Sequence, residues 1–168
     1  MESSRDLIAT LGYLCLGSRL KRLGERMQAG VAQQLATLGH DVQTAQLPVL
    51  YALRDGGAMT VGALSERLGV SQPGVSRLVA VLEKQRLVTP ATMGKDRRQR
   101  QIALSAQGEA LMADLAATLF PAVREAVERL CVAAGPDLLD QIDQIEDDLA
   151  TVPLDARIGA LLGKTAHG

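Results

Sequence analysis

Arg77 and Lys84 stand on the polar side of GVSQPGVSRLVAVLEKQRLV (residues 69–88), and Lys95, Arg97, Arg98 and Arg100 crowd around Asp96 in GKDRRQR (94–100). Guanidinium and ammonium groups so placed hold anionic oxygens, and the donor fork of Arg can also read the edge of a base. Ser71, Gln72, Pro73 and Ser76 open the first stretch and are short enough to let a helix approach its partner closely. Between Val61 and Ser105 eight Lys/Arg face three acids, a balance of +5. The first 60 residues stand at +1, and residues 106–168, with four bases and eleven acids, at −7. A basic middle between a neutral start and an acidic end suits a polyanion-binding module on a scaffold.

Other chemistries find little support. The sequence has no Ser-His-acid set, GxGxxG, phosphate loop or paired carboxylates in a cleft-like context, so an enzyme is not expected, and the acids from Asp140 to Asp148 read as a solvated helix face. His40 and His167 lie far apart with no Cys/His cluster, which speaks against a metal, and no cofactor is expected. Cys15 and Cys131 are too few for a disulfide framework. With 47% hydrophobic and 22% charged residues the chain is too polar for a membrane span, and MESSRDLIAT lacks the pattern of a secretory signal. A cytoplasmic protein is expected. At 2% aromatics, with one Phe and no Trp, it offers no stacking platform for single strands.

The cations must be positioned mainly by helices. Leu16, Leu20, Leu23, Met27, Val31, Leu35 and Leu38 recur at the spacing of a long helix that stops at Gly39. A shorter helix fits Thr44–Arg54, with Leu47, Leu50 and Tyr51 inward and Pro48 in its first turn. Thr60 caps a helix over Val61–Leu68, Gly69 turns the chain, and Ser71 caps the next helix. In that helix Val75, Leu78, Val79 and Leu82 share a sector of about 100°, leaving Pro73, Arg77, Ala80 and Lys84 opposite. From Leu87 to Ser105 the period changes to that of a short β-ribbon with a basic tip, and Pro90 confines its strand to a sheet edge. Ser105 caps a second long helix to Val132, with Leu111, Leu115, Leu119, Val123, Val127 and Leu130 inward, broken at Gly135-Pro136. A helix with Leu138, Ile142, Ile145 and Leu149 ends before Pro153, and LDARIGALLGK (154–164) forms a short last one. The expected fold is mainly α with a small β-wing. It divides into an N-terminal helix (1–43), a central lobe (44–105) and C-terminal helices (106–168).

Within the lobe, a helix ending at Gly69, a three-residue turn and a second helix make a helix-turn-helix, with Ser65 and Val75 suited to the crossing. Its narrow cationic face fits the major groove of double-stranded DNA, and the ribbon tip fits phosphates and a narrow minor groove. The order of elements, LSERLGVSQPGVSRLVAVLEKQRLV (64–88), and DRR (96–98) ahead of IALSAQG (102–108) resemble the MarR family of winged-helix transcription regulators, over roughly residues 7–149. The resemblance implies an obligate homodimer of intertwined terminal helices that reads a pseudo-palindromic operator, with a ligand cleft between those helices and each lobe. It places Ser71, Gln72, Pro73, Ser76, Arg77 and Lys84 on the recognition helix, and makes Asp96 a brace and Arg98 the minor-groove residue of the wing. Arg86 stands where the family usually has Gly. The residues support the dimer too, since the terminal helices carry more apolar stripe than a lobe of about 80 residues can cover.

Family analogy favours a repressor released by a small aromatic acid or phenol, with Arg19, His40, Gln46 and Tyr51 near the cleft. Two alternatives remain at this point. One branch of the family senses peroxide through an N-terminal cysteine, which would give Cys15 a redox role. That branch surrounds its thiol with tyrosines, whereas Tyr13 and Tyr51 are the only two here, and Arg19 is the one evident cation near Cys15, so both cysteines read as structural. The other alternative is a winged-helix module that binds protein, against which the basic ribbon tip argues.

Overall fold

The apolar spacing near the start of the chain does produce a long helix, α2 (Leu16–Thr37). Ahead of it lie elements the spacing does not announce, a single turn α1 (Leu7–Thr10) and a 3-10 turn over Gly12–Cys15. Asp6 caps α1 and accepts a 2.5 Å hydrogen bond from Arg22 of α2, which holds the Asp6 carboxyl below the usual carboxylate range. The computed structural model describes residues 6–91, 101–135 and 137–165, and the chain forms two compact units, 1–121 and 122–168.

The first unit holds the core. After a 3-10 turn (Thr44–Gln46) come α3 (Leu47–Gly56), β1 (Met59–Thr60), α4 (Val61–Leu68), α5 (Gln72–Lys84), β2 (Val88–Ala91), β3 (Gln101–Leu104) and α6 (Ala106–Ala117). Val49, Leu50, Leu64, Val75, Leu82 and Ile102 are buried at its centre. Arg54 ties α3 to α6 by donating to the Met112 carbonyl at 3.0 Å. Tyr51, expected inward, is 53% exposed, because the buried stripe of α3 runs through Val49, Leu50 and Leu53. Its ring lies against Phe120 instead, with centroids 6.1 Å apart.

The ribbon is a three-stranded antiparallel sheet of order β1-β3-β2, with Val88 opposite Leu104 and Ala91 opposite Gln101. Pro90 lies on an outer strand, as its missing N–H requires. The added strand β1 pairs Met59 with Ile102 and Thr60 with Gln101. Thr60 also caps α4 by accepting from the Ala63 N–H, and Ser105 caps α6 by accepting from the Gly108 N–H.

Between α5 and β2 the chain reverses at Arg86, whose φ of 59° makes it the one non-glycine residue in the left-handed region among the described residues. The Ser105 hydroxyl donates to the Arg86 carbonyl at 2.5 Å, and the Leu87 N–H donates to the Leu82 carbonyl at 2.9 Å, so the turn is held from both sides. A left-handed side-chain residue costs about 1–2 kcal/mol, and glycine would return part of that gain through unfolded-chain entropy. Arg86→Gly is therefore expected to stabilise the protein by about 0.5–1 kcal/mol in denaturant unfolding. A lower midpoint would mean that the arginine side chain stabilises the turn.

The second long helix is two helices. At Thr118 (φ −117°, ψ −69°) α6 ends, and α7 (Leu119–Ala134) begins. Pro121 lacks the N–H that would meet the Ala117 carbonyl, and its ring crowds that carbonyl, so a continuous helix is prevented. The unit 122–168 comprises the remainder of α7, α8 (Leu138–Thr151) and α9 (Leu154–Thr165). Arg157 joins α9 to the end of α8 by donating to the Asp148 and Val152 carbonyls. Leu130, expected inward, is 57% exposed, and Ile142, Ile145 and Leu149 of α8 are exposed too. Their stripes are formed, but the single chain does not cover them.

Candidate nucleic-acid interface

Helices α4 and α5 meet through Gly69, whose φ of 62° lets the chain turn at once after Leu68. The Ser65 hydroxyl donates to the Val70 carbonyl at 2.5 Å, and the Val70 N–H donates to the Ser65 carbonyl, so a small hydrogen-bonding side chain locks the turn. Ser71 stands at the N-cap of α5, but its hydroxyl makes no capping bond; its backbone carbonyl accepts from Val75. Pro73 in the first turn costs little, since N–H groups there have no helical partner.

Val75 and Leu82 are fully buried and Val79 nearly so, which turns the opposite face of α5 to solvent. Ser71, Gln72, Pro73, Ser76, Arg77, Ala80 and Lys84 are all exposed. The surface is thus one helix wide, low in profile, and cationic at Arg77 and Lys84, and β2 begins four residues after Lys84. The ribbon-tip residues Lys95, Asp96, Arg97, Arg98 and Arg100 lie outside the described residues. Another cation near the turn, Arg67, is engaged by the Asp55 carboxylate.

Beside the end of α5 the lobe contains a cavity of about 460 Å3, reached by His40, Asp41, Gln85, Gln107, Leu111 and Asp114 among others. Of the four residues expected near a ligand cleft, His40 lines it. Gln46 is fully buried, accepting from the Gln43 N–H and donating to the Gln85 side chain at 2.8 Å, while Gln85 donates to the Asp41 carbonyl. Neither Arg19 nor Tyr51 is part of the lining. Asp114, Gln107 and Gln85 are the residues that sequence reading missed; nothing local marks them, because their meeting depends on α6 returning to the α5 end. Cys15 sits half-buried at the start of α2, and Cys131 half-buried in α7. Among the described residues no group of three His, Cys, Asp or Glu could hold a metal, and no helix is long and apolar enough to cross a membrane.

A helix-turn-helix followed directly by an antiparallel ribbon, with a further strand contributed from before α4, defines a winged helix. Residues 40–99, which span this winged helix, match the model of the MarR family. No curated protein matches the chain. Among solved structures, the MarR family regulator NMB1585 of Neisseria meningitidis is 23% identical over 86% of this chain and 94% of its own, with a TM-score of 0.59. A mutant MarR of E. coli complexed with operator DNA is 20% identical over 76% and 92%, with a TM-score of 0.65. BpsR of Bordetella bronchiseptica, whose DNA binding is regulated by 6-hydroxynicotinic acid, is 25% identical over 71% and 91%, with a TM-score of 0.54.

Proposed function

We propose that the chain is a dimeric, sequence-specific regulator of transcription that binds double-stranded DNA, represses, and is released by a small-molecule effector. The observation that carries this reading is the outer face of α5, where Gln72, Ser76, Arg77 and Lys84 are exposed on a helix whose other side is anchored by Val75 and Leu82. Such a helix enters a major groove without steric conflict and offers donors suited to base edges and phosphates. The reading assigns Ser71, Gln72, Pro73, Ser76, Arg77 and Lys84 to the groove, and Lys95, Arg97, Arg98 and Arg100, with Asp96 as brace, to the flanking backbone and minor groove. It is a non-enzymatic role in the cytoplasm.

Dimerisation is supported by the uncovered stripes at both ends of the chain: Leu7, Leu14 and Leu20 in the first unit, and Leu139, Ile145 and Leu161 in the second, are exposed. Apolar surface on this scale is characteristic of an interface. The reading keeps the three-part division into helices 1–43, lobe 44–105 and helices 106–168. Two-fold symmetry would then set two recognition helices about 34 Å apart, one duplex turn. Effector release is supported by the cavity beside α5 and by the regulation that BpsR shows.

Selection of binding sites from a random duplex pool, at about 0.15 M salt with excess non-specific competitor, tests the reading. Enrichment of a pseudo-palindrome with half-sites about one turn apart is the expected result. A folded, dimeric sample that enriches nothing would overturn it.

A further inference from the structure

The charge of the cavity is opposite to that of the α5 surface. Its acidic lining consists of Asp41 and Asp114, with the His40 imidazole beside Asp114, and no Lys or Arg reaches it among the described residues. Its polar lining otherwise is amide, from Gln85 and Gln107. The buried His40 Nε2 lies 2.9 Å from Asp114 Oδ2. Asp114 itself is half exposed, with 52% of its side chain accessible. At about 460 Å3 the space fits a molecule of one ring and a head group.

We propose that this cavity takes a small organic cation with N–H donors, an amidinium or a protonated amine, seated on Asp114 and Asp41. The proposal rests on the reading of the chain as an effector-responsive regulator and specifies the effector's class. A carboxylate ligand would enter beside two like charges with only the His40 imidazole, already 2.9 Å from Asp114, to meet it, whereas an amidinium presents a planar pair of donors that matches a carboxylate. Occupancy also has a route to the DNA-facing helix. Gln85 follows α5 directly, lines the cavity, and spends both ends of its amide on Gln46 and the Asp41 carbonyl. A head group competing for that amide acts on the residue that caps α5, next to the strained turn at Arg86.

The test uses the full chain and two probes of matched ring and size, benzamidinium and benzoate, titrated by calorimetry and by amide chemical shifts at constant ionic strength. Benzamidinium is expected to bind roughly tenfold more tightly than benzoate and to shift the amides of residues around His40 and Asp114. Asp114→Asn is expected to weaken benzamidinium by roughly tenfold, and Asp41→Asn to weaken it as well, with melting curves showing both variants folded. Benzoate binding as tightly as benzamidinium, no saturable binding of benzamidinium, or benzamidinium affinity unchanged in both variants would each overturn the proposal. Duplex binding is measured on the same preparation without either probe. Intact duplex binding beside a failed cation titration overturns the cation alone, whereas cation binding without any selected duplex overturns the regulator reading and leaves the cation site standing.

Discussion

Arg77→Ala is expected to weaken binding to a selected duplex by roughly 10- to 100-fold, the loss of one good bidentate base contact. Arg77 is exposed on the outer face of α5, opposite Val75 and Leu82, so its truncation leaves the packing of the lobe alone and the melting temperature unchanged. The loss should appear at one base position of each half-site and be small on a scrambled duplex. Lys84, near the end of the same face, serves as the internal comparison. A phosphate contact there carries little sequence information, so Lys84→Ala should weaken both duplexes alike and lower the salt slope by about 1. Equal losses on both duplexes for Arg77→Ala would make it a phosphate contact, and no loss would remove α5 from the interface.

The second large effect concerns stability. Gly108→Ala is expected to destabilise the lobe by about 3 kcal/mol and to lower the melting temperature by about 10 °C. A Cβ at this position would lie 2.0 Å from the Leu87 carbonyl oxygen and 3.1 Å from the Leu87 carbonyl carbon. These are backbone atoms, and the same oxygen accepts from the Ser105 N–H at 3.0 Å. The start of α6 therefore has to move away from the start of β2, at the junction that also holds the Arg86 turn. Ser105→Ala separates packing from capping, since it removes only the hydroxyl that caps Gly108 and braces Arg86, at about 1 kcal/mol. An unaltered melting curve for Gly108→Ala would show that helix and strand are not tightly joined.

The parts of this fold legible in the sequence are those set by neighbours in the chain. The stripe through Val75, Val79 and Leu82, the caps at Thr60 and Ser105, the turn at Gly69 and the edge position of Pro90 each follow from local sterics or periodicity. The break at Thr118 carried a signal, Pro121, but the stripe Leu115, Leu119, Val123 runs through it at helical spacing and masks it. β1 is two residues long and exists only because Gln101 and Ile102 come to lie beside it. The exposed cationic face of α5 is legible because one helix carries it. The cavity is not, because His40, Gln85 and Asp114 come from three separate stretches whose meeting is a property of the packed lobe.

Pro90 has one more consequence. The wing sheet has two open rims: β1, only two residues long, and β2, where one of four residues has no N–H to donate. Neither rim can template a full ladder with a strand from another molecule. One proline and one truncated strand therefore protect this sheet against growing into fibres by strand addition.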